Sequence, residues 1–212
     1  MARKRKPARV LIVEDQELTA QLFESFIENH ENYVHAGTVK NAELAPMYCV
    51  KGDIDLILMD VYTELGASGL EAAATIKKDY PQIKIVIVTS MPEVSYIRRA
   101  KEAGVESFWY KEAGEHQLID VMNRTMEGAS IYPDRTPRIQ LGLATSYDLT
   151  ERELEVLREI VRGDTNQEIA DKLYLSVATV KDYVRSLMLK TGFRTRTELA
   201  VRARELGLVI PE

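Results

Sequence analysis

The chain is poor in thiols: Cys49 is its single cysteine. One thiol excludes an internal disulfide framework and a thiolate zinc cluster, and it suits a reducing compartment. Cys49 falls in an apolar stretch and reads as a core residue rather than a redox sensor. Also missing is any apolar run near the roughly 18–20 residues that a membrane-spanning helix requires. The opening residues include Arg3, Lys4, Arg5, Lys6 and Arg9, as the basic end of a signal peptide would. The apolar run behind them is only Val10-Leu11-Ile12-Val13, and it meets Glu14-Asp15 at once. A cytoplasmic protein with no membrane partner is therefore expected. The basic stretch reads as a solvated end or as an auxiliary contact to nucleic acid. A general excess of positive charge is absent too, since the formal net charge is -5. The chain is no generic polyanion binder, and any nucleic-acid site must be local.

What the sequence does contain is an alternation of two periods. Short apolar runs at Val10–Val13, Tyr33–Gly37, Leu56–Met59, Ile85–Val88 and Ser107–Tyr110 have the near-continuous character of strands buried on both faces. Between them, residues 16–29, 41–51, 69–79, 93–103 and 115–127 carry helical spacing. Five strands alternating with five helices predict a doubly wound α/β domain with a parallel five-stranded sheet over residues 1–128. Ligands of such sheets bind beyond the carboxyl ends of the strands.

Those ends carry a coherent chemistry. Glu14 and Asp15 follow the first run, Asp60 ends the third, Thr89 and Ser90 end the fourth, and Lys111 follows the fifth. Crowded carboxylates repel one another unless a hard cation neutralises them, and Mg²⁺ is suited by carboxylates, a carbonyl and water. One carboxylate can then act as a nucleophile toward phosphorus, while a lysine and a hydroxyl stabilise the new phosphoryl oxygens.

These residues, within Leu11-Ile12-Val13-Glu14-Asp15, Leu58-Met59-Asp60-Val61, Val88-Thr89-Ser90, Ala103-Gly104 and Phe108-Trp109-Tyr110-Lys111, make residues 8–127 resemble the receiver domains of two-component response regulators. The resemblance implies that Asp60 accepts a phosphoryl group from a sensor histidine kinase. It implies that Glu14, Asp15, Asp60 and the backbone carbonyl of Tyr62 hold Mg²⁺. Lys111 would pair with the phosphate, Thr89 would move to hydrogen-bond it, Ser90 would keep the site open, and Phe108 would be the aromatic switch. The loop Asp60–Gly69 departs from the family, lacking the usual proline and running one residue longer.

Residues 129–147 lose all sustained period and contain Pro133, Pro137 and Gly142, so a linker is expected there. From 148 to 212 the pattern is helical only, and a four-helix domain is expected. Thr150 with Glu153 forms a capping box, Gly163 closes that helix, a second helix covers about 165–172, a third starts at Ser176 and closes at Gly192, and a fourth covers about 195–206. Lys181 and Arg185 lie four apart on one face of the third helix. Over residues 165–204 basic residues outnumber acidic ones, as local phosphate binding requires. The strings from Leu149 to Leu157, Asn166-Gln167-Glu168-Ile169-Ala170 and Ser176-Val177-Ala178-Thr179-Val180-Lys181 resemble the LuxR-type helix-turn-helix of NarL/FixJ-type response regulators. By that resemblance Lys181, Asp182 and Arg185 face the bases of double-stranded DNA, with Thr179 and Tyr183 near the backbone. Lys172, Lys190, Arg194 and Arg196 are placed to reach phosphates. The last helix resembles a dimerisation helix, although a packed core face explains it as well.

The expected function is a transcriptional regulator, not an enzyme, whose phosphorylation controls homodimerisation and promoter binding. Three other readings compete: a Mg²⁺-dependent phosphatase, a phosphorylation-independent regulator that binds DNA constitutively, and an RNA-binding output.

Overall fold

The computed structural model describes residues 6–50, 53–93, 95–111, 115–134 and 136–209. Of the basic opening stretch, Arg3, Lys4 and Arg5 lie outside the described residues. The chain forms two compact units, Met1–Ser90 with Ser95–Asp134, and Met91–Val94 with Arg135–Glu212.

The first unit is the expected doubly wound domain. Its strands are β1 (Ala8–Val13), β2 (Tyr33–Val39), β3 (Leu56–Asp60), β4 (Lys84–Thr89) and β5 (Ser107–Tyr110). All neighbouring pairs run parallel in the order β2-β1-β3-β4-β5. Alternate residues serve opposite layers. Val10, Ile12, Leu56, Leu58, Val86 and Val88 pack with Phe23 and Ile27 of α1 (Glu17–Glu28) and with Leu118 and Met122 of α5 (Glu115–Met126). Leu11, Ile57, Met59, Ile85 and Ile87, equally buried, serve the other face, with α2 (Ala45–Cys49), α3 (Gly69–Asp79) and α4 (Tyr96–Glu102). Because β1 sits between β2 and β3, the connections leave β1 and β3 toward opposite sides. This switch point opens a crevice at their carboxyl ends.

The helix expected over residues 41–51 is interrupted. Asn41 caps a single 3-10 turn, Ala42–Leu44, and Pro46 starts the short α2 inside the first turn, where its missing N–H costs nothing. Cys49 is fully buried, as a core residue should be.

The stretch 129–147 is not the structureless linker that its prolines suggest. Residues 130–132 bond to the first unit: the Phe108 amide donates to the Ile131 carbonyl at 2.8 Å, and the Ser130 hydroxyl donates to the Glu106 carbonyl at 2.8 Å. Further on, β6 (Gln140–Leu141) and β7 (Ala144–Thr145) form an antiparallel hairpin belonging to the second unit. Leu141 and Ala144 are its buried residues. Gly142 is the reason the turn fits. It has φ +63, and a Cβ there would lie 2.1 Å from the Thr191 carbonyl oxygen. Read only as a breaker, Gly142 hides that it belongs to a two-residue hairpin turn.

The rest of the second unit is α6 (Glu151–Arg162), α7 (Asn166–Leu173), α8 (Val177–Thr191) and α9 (Arg196–Glu205). Leu154, Leu157, Ile160, Ile169, Val180, Leu187 and Leu199 meet in one core. Every helix start is capped by a side chain: Thr150, Thr165, Ser176 and Thr195 each accept from the amide three residues on. Each cap contributes about 1 kcal/mol. Gly163 and Gly192 close α6 and α8 in the left-handed conformation.

Candidate functional site

At the switch point, β1 ends in Glu14 and Asp15 and β3 ends in Asp60. Ligand oxygens of these three carboxylates lie within 4.8 Å of one another. Glu14 is fully buried and Asp60 is 5% exposed, so water screens them poorly. Lys111 reaches in from the end of β5. Its Nζ donates to Asp60 Oδ2 at 2.7 Å and makes a very short contact with Glu14 Oε2. The Val61 amide donates to Asp60 Oδ1 at 2.7 Å. Burial pushes the Asp60 carboxyl up to about 6; Lys111 opposes that shift and Glu14 adds to it. One ammonium cannot balance three carboxylates. The donor set is all hard oxygen, open on the Asp15 side, and it fits a divalent cation of the calcium–magnesium kind.

Thr89 and Lys111 are brought to the same edge by the β4–β5 ladder. Thr89 pairs with Tyr110, and its carbonyl accepts the Lys111 amide at 3.0 Å. Thr89 is buried and Ser90 exposed. Phe108, two residues before Tyr110 on the same face of β5, is buried with its ring centroid 5.1 Å from the Tyr110 ring.

The loop that departs from the family pattern is well tied down. The Thr63 hydroxyl, buried, accepts the Ala42 amide at 2.9 Å and donates to the Ala67 carbonyl at 3.1 Å. The Gly69 amide donates to the Val61 carbonyl at 2.8 Å. Gly69 crosses so close to β3 that a Cβ would lie 1.8 Å from the Asp60 carbonyl oxygen. At the tip, Leu65 adopts φ +63, and its side chain is 93% exposed. The sequence offers Gly69 as an ordinary helix-start glycine; only the approach of two backbones shows its importance.

In the second unit, α7, the turn at Tyr174 and α8 form the helix-turn-helix. Leu173 is followed by Tyr174 in the left-handed conformation (φ +55), and the Leu175 amide closes on the Ala170 carbonyl at 2.9 Å. Lys181, Asp182 and Arg185 are exposed on one side of α8, and none of the three has an ion-pair partner among the described residues. Arg194 is exposed as well.

The other cations expected to reach phosphates also have partners inside the unit. Lys172 bridges Asp164 and Glu159. Arg196 donates to Asn166 Oδ1 and to the Asp164 carbonyl. Lys190 donates to Glu153 Oε2 at 2.7 Å and to the Asp148 carbonyl at 2.9 Å. Two further residues expected beside the DNA backbone also have internal roles. Tyr183 packs against the helical core, and the Thr179 hydroxyl lies 2.8 Å from that of Ser176 at the helix cap.

Glu153 was legible only as half of a capping box. In the structure it is 3% exposed and accepts from the Thr150 amide, the Ser186 hydroxyl and Lys190, each at 2.7 Å. It therefore anchors α8 to α6.

Among the described residues no helix is long and apolar enough to cross a membrane. Residues 10–123 match the response regulator receiver domain, and residues 147–203 match the bacterial regulatory proteins of the luxR family. Response regulator protein VraR of Staphylococcus epidermidis is 32% identical over 206 residues, covering 95% of this chain and 98% of that protein. VraR of Staphylococcus aureus matches to the same extent. Among solved structures, RcsB dimers bound to DNA superpose with a TM-score of 0.63 at 19% identity, covering 95% of this chain and 100% of that one. Response regulator ChrA of a heme-sensing two-component system superposes with a TM-score of 0.52 at 23% identity, covering 94% and 97%.

Proposed function

The chain belongs to the two-component response regulators that join a receiver to a LuxR-type DNA-binding domain, and from that premise we propose that Asp60 is its phosphoacceptor and the exposed side of α8 its DNA-reading surface. The observation that carries the first part is the buried Asp60 at the switch point, flanked by Glu14 and Asp15 and bonded to Lys111.

An Asp60 carboxylate oxygen attacks the phosphorus of a phosphohistidine on a sensor kinase. The new O–P bond forms as the P–N bond breaks, and the imidazole leaves with the electron pair. Glu14, Asp15, Asp60 and the Tyr62 carbonyl would hold Mg²⁺, which would supply charge neutralisation for the incoming phosphoryl oxygens. Lys111 exchanges its bond to Asp60 Oδ2 for one to a phosphoryl oxygen and keeps Glu14. The Thr89 hydroxyl turns to another phosphoryl oxygen, and Phe108 moves into the space that Thr89 leaves. Exposed Ser90 keeps the approach open.

On the output side, Lys181 and Arg185 are suited to guanine edges, and Asp182 to a cytosine amino group, in the major groove. Arg194 contacts phosphate, while Lys172, Lys190 and Arg196 hold the domain in shape. Phosphorylation favours a homodimer, whose two α8 helices address a roughly palindromic promoter site with the gain of effective concentration.

The test compares wild type with Asp60→Asn, each with acetyl phosphate and Mg²⁺, by intact mass, size-exclusion chromatography and fluorescence anisotropy on promoter DNA. One added phosphoryl group, a shift to dimer and tighter DNA binding are expected in wild type only. A wild type that takes up no phosphoryl group yet binds DNA identifies a phosphorylation-independent regulator instead.

A further inference from the structure

Beyond the acidic pocket, the segment that leaves the first unit is fastened to the edge of its sheet by few contacts. β5 is the outermost strand, and residues 130–132 run along it. The Phe108 amide donates to the Ile131 carbonyl at 2.8 Å, and the Ile131 amide donates to Ser107 Oγ at 3.1 Å. The Tyr132 hydroxyl donates to the Val105 carbonyl at 2.8 Å. The Tyr132 ring stacks on Phe108, with centroids 6.4 Å apart and planes at 30°. Lys101 Nζ sits 4.9 Å from the Tyr132 centroid on the ring face.

These contacts continue inward. Phe108 meets Tyr110 edge-on at 5.1 Å, and Tyr110 is the ladder partner of Thr89 at the pocket. A line of packed groups therefore runs from Thr89 through Tyr110 and Phe108 to Tyr132. Beside these rings lies an open cavity of about 440 Å³, lined in part by Trp109, Gln117 and Pro133.

We propose that Tyr132 is a positioning residue that latches the departing segment to Phe108, and that phosphorylation of Asp60 opens this latch. The proposal rests on the phosphoacceptor reading above. When Thr89 turns toward a phosphoryl group and Phe108 follows, Tyr132 loses its stacking partner. The remaining fastenings are a handful of hydrogen bonds, the Lys101 contact on the Tyr132 ring and the packing of Ile131 against the core, all at a sheet edge. Docked and undocked forms of residues 130–133 are the two states that both ends bias, which is what a physical coupling requires. Undocking lengthens the free tether between the receiver and the DNA-binding domain.

Hydrogen exchange read by mass spectrometry tests this on the full chain, with and without acetyl phosphate and Mg²⁺, alongside DNA affinity. Wild type, Tyr132→Ala and Tyr132→Phe are compared. Phosphorylated wild type is expected to lose protection at the Phe108 and Ile131 amides. Tyr132→Ala is expected to lack that protection already without phosphate, and its phosphorylation-dependent gain in DNA affinity is expected to shrink by about 5-fold or more, within the usual range of coupling. Tyr132→Phe keeps the ring and is expected to behave as wild type in that ratio. A merely structural Tyr132 would weaken both phosphorylation states equally and leave the ratio unchanged. The latch is overturned if wild type carries the phosphoryl group by mass and protection at Phe108 and Ile131 is unaltered, or if Tyr132→Ala keeps the full gain. Absence of the phosphoryl group from wild type overturns the phosphoacceptor reading and the latch together.

Discussion

Glu153→Ala should destabilise the DNA-binding domain selectively, and the size and pH dependence of the effect follow from its surroundings. Burial raises the carboxyl of Glu153, but the Lys190 ammonium, the Thr150 amide and the Ser186 hydroxyl outweigh it and bring the pKa down from 4.5 to about 2. That depression corresponds to on the order of 3 kcal/mol of stabilisation by the charged form. Because the folded pKa lies below the unfolded one, the contribution is fully present above pH 4.5. It is lost as the pH falls through about 2. Replacing Glu153 by alanine removes the anion, breaks the capping box and leaves Ser186 without its acceptor. A loss of about 3 kcal/mol is expected at pH 7, a displacement of about 1–3 M urea for a small domain.

The two domains can be followed apart in the intact chain. Trp109 is the only tryptophan and lies in the receiver, so its fluorescence reports that domain, whereas far-ultraviolet circular dichroism reports both. The dichroism transition should split, with an early helical component, while the fluorescence midpoint stays put. The difference between mutant and wild type should narrow between pH 4.5 and pH 2. A loss under about 1 kcal/mol, or an equal loss at pH 2 and pH 7, would refute the assignment of Glu153 as the charged anchor of α8.

Three further outcomes are expected. Gly69→Ala should destabilise the receiver, read by its fluorescence transition, by about 2–4 kcal/mol and abolish phosphorylation by acetyl phosphate, since a Cβ placed 1.8 Å from the Asp60 carbonyl oxygen forces β3 and α3 apart. Leu65→Asn should stabilise the receiver by several tenths to about 1 kcal/mol and raise the midpoint of that transition, because asparagine tolerates a positive φ better than leucine; an unchanged or lower midpoint counts against strain there. Lys181→Ala and Arg185→Ala should each weaken promoter binding by about 1–3 kcal/mol with no change in urea midpoint. Lys190→Ala should instead lower the midpoint of the helical component and leave the salt dependence of binding as in wild type. A reduced salt slope in that variant would restore Lys190 as a phosphate contact.

The parts of this molecule legible in the sequence are those where a single physical rule dominates. The strands from Val10, Leu56 and Ile85 are buried on both faces, so their apolar runs are unbroken and their ends are sharp. Parallel topology then brings Glu14, Asp60, Thr89 and Lys111 to one edge, whatever their spacing along the chain. Less legible was everything decided by a neighbour remote in sequence. Lys190 and Lys181 are both exposed-helix lysines by pattern, nine residues apart on α8. Lys190 meets Glu153 across the fold, and Lys181 meets no anion among the described residues. Pro133 and Gly142 have the composition of a linker, yet the neighbouring Tyr132 finds Phe108, and Gly142 finds the carbonyl of Thr191. Thr165 and Glu168 form a second capping box with the same spacing as the first.

The division of labour among the cations follows from where carboxylates lie. A lysine or arginine beside a buried acid is held there, because removing one partner would leave an uncompensated charge in a poorly solvated place. Lys111 is the instructive case. It has two anionic partners, Glu14 and Asp60, and it can surrender one without becoming unpaired. A phosphoryl group on Asp60, as proposed above, would replace the anion that Lys111 gives up, so the ammonium would stay neutralised in both states. Lys190, by contrast, has one carboxylate and one carbonyl. Moving it to a DNA phosphate would strand Glu153, buried, without its counter-charge. Lys111 is thus free to switch partners in the receiver pocket, and Lys190 is bound to one in the helical domain. The difference lies in the number of anions within reach.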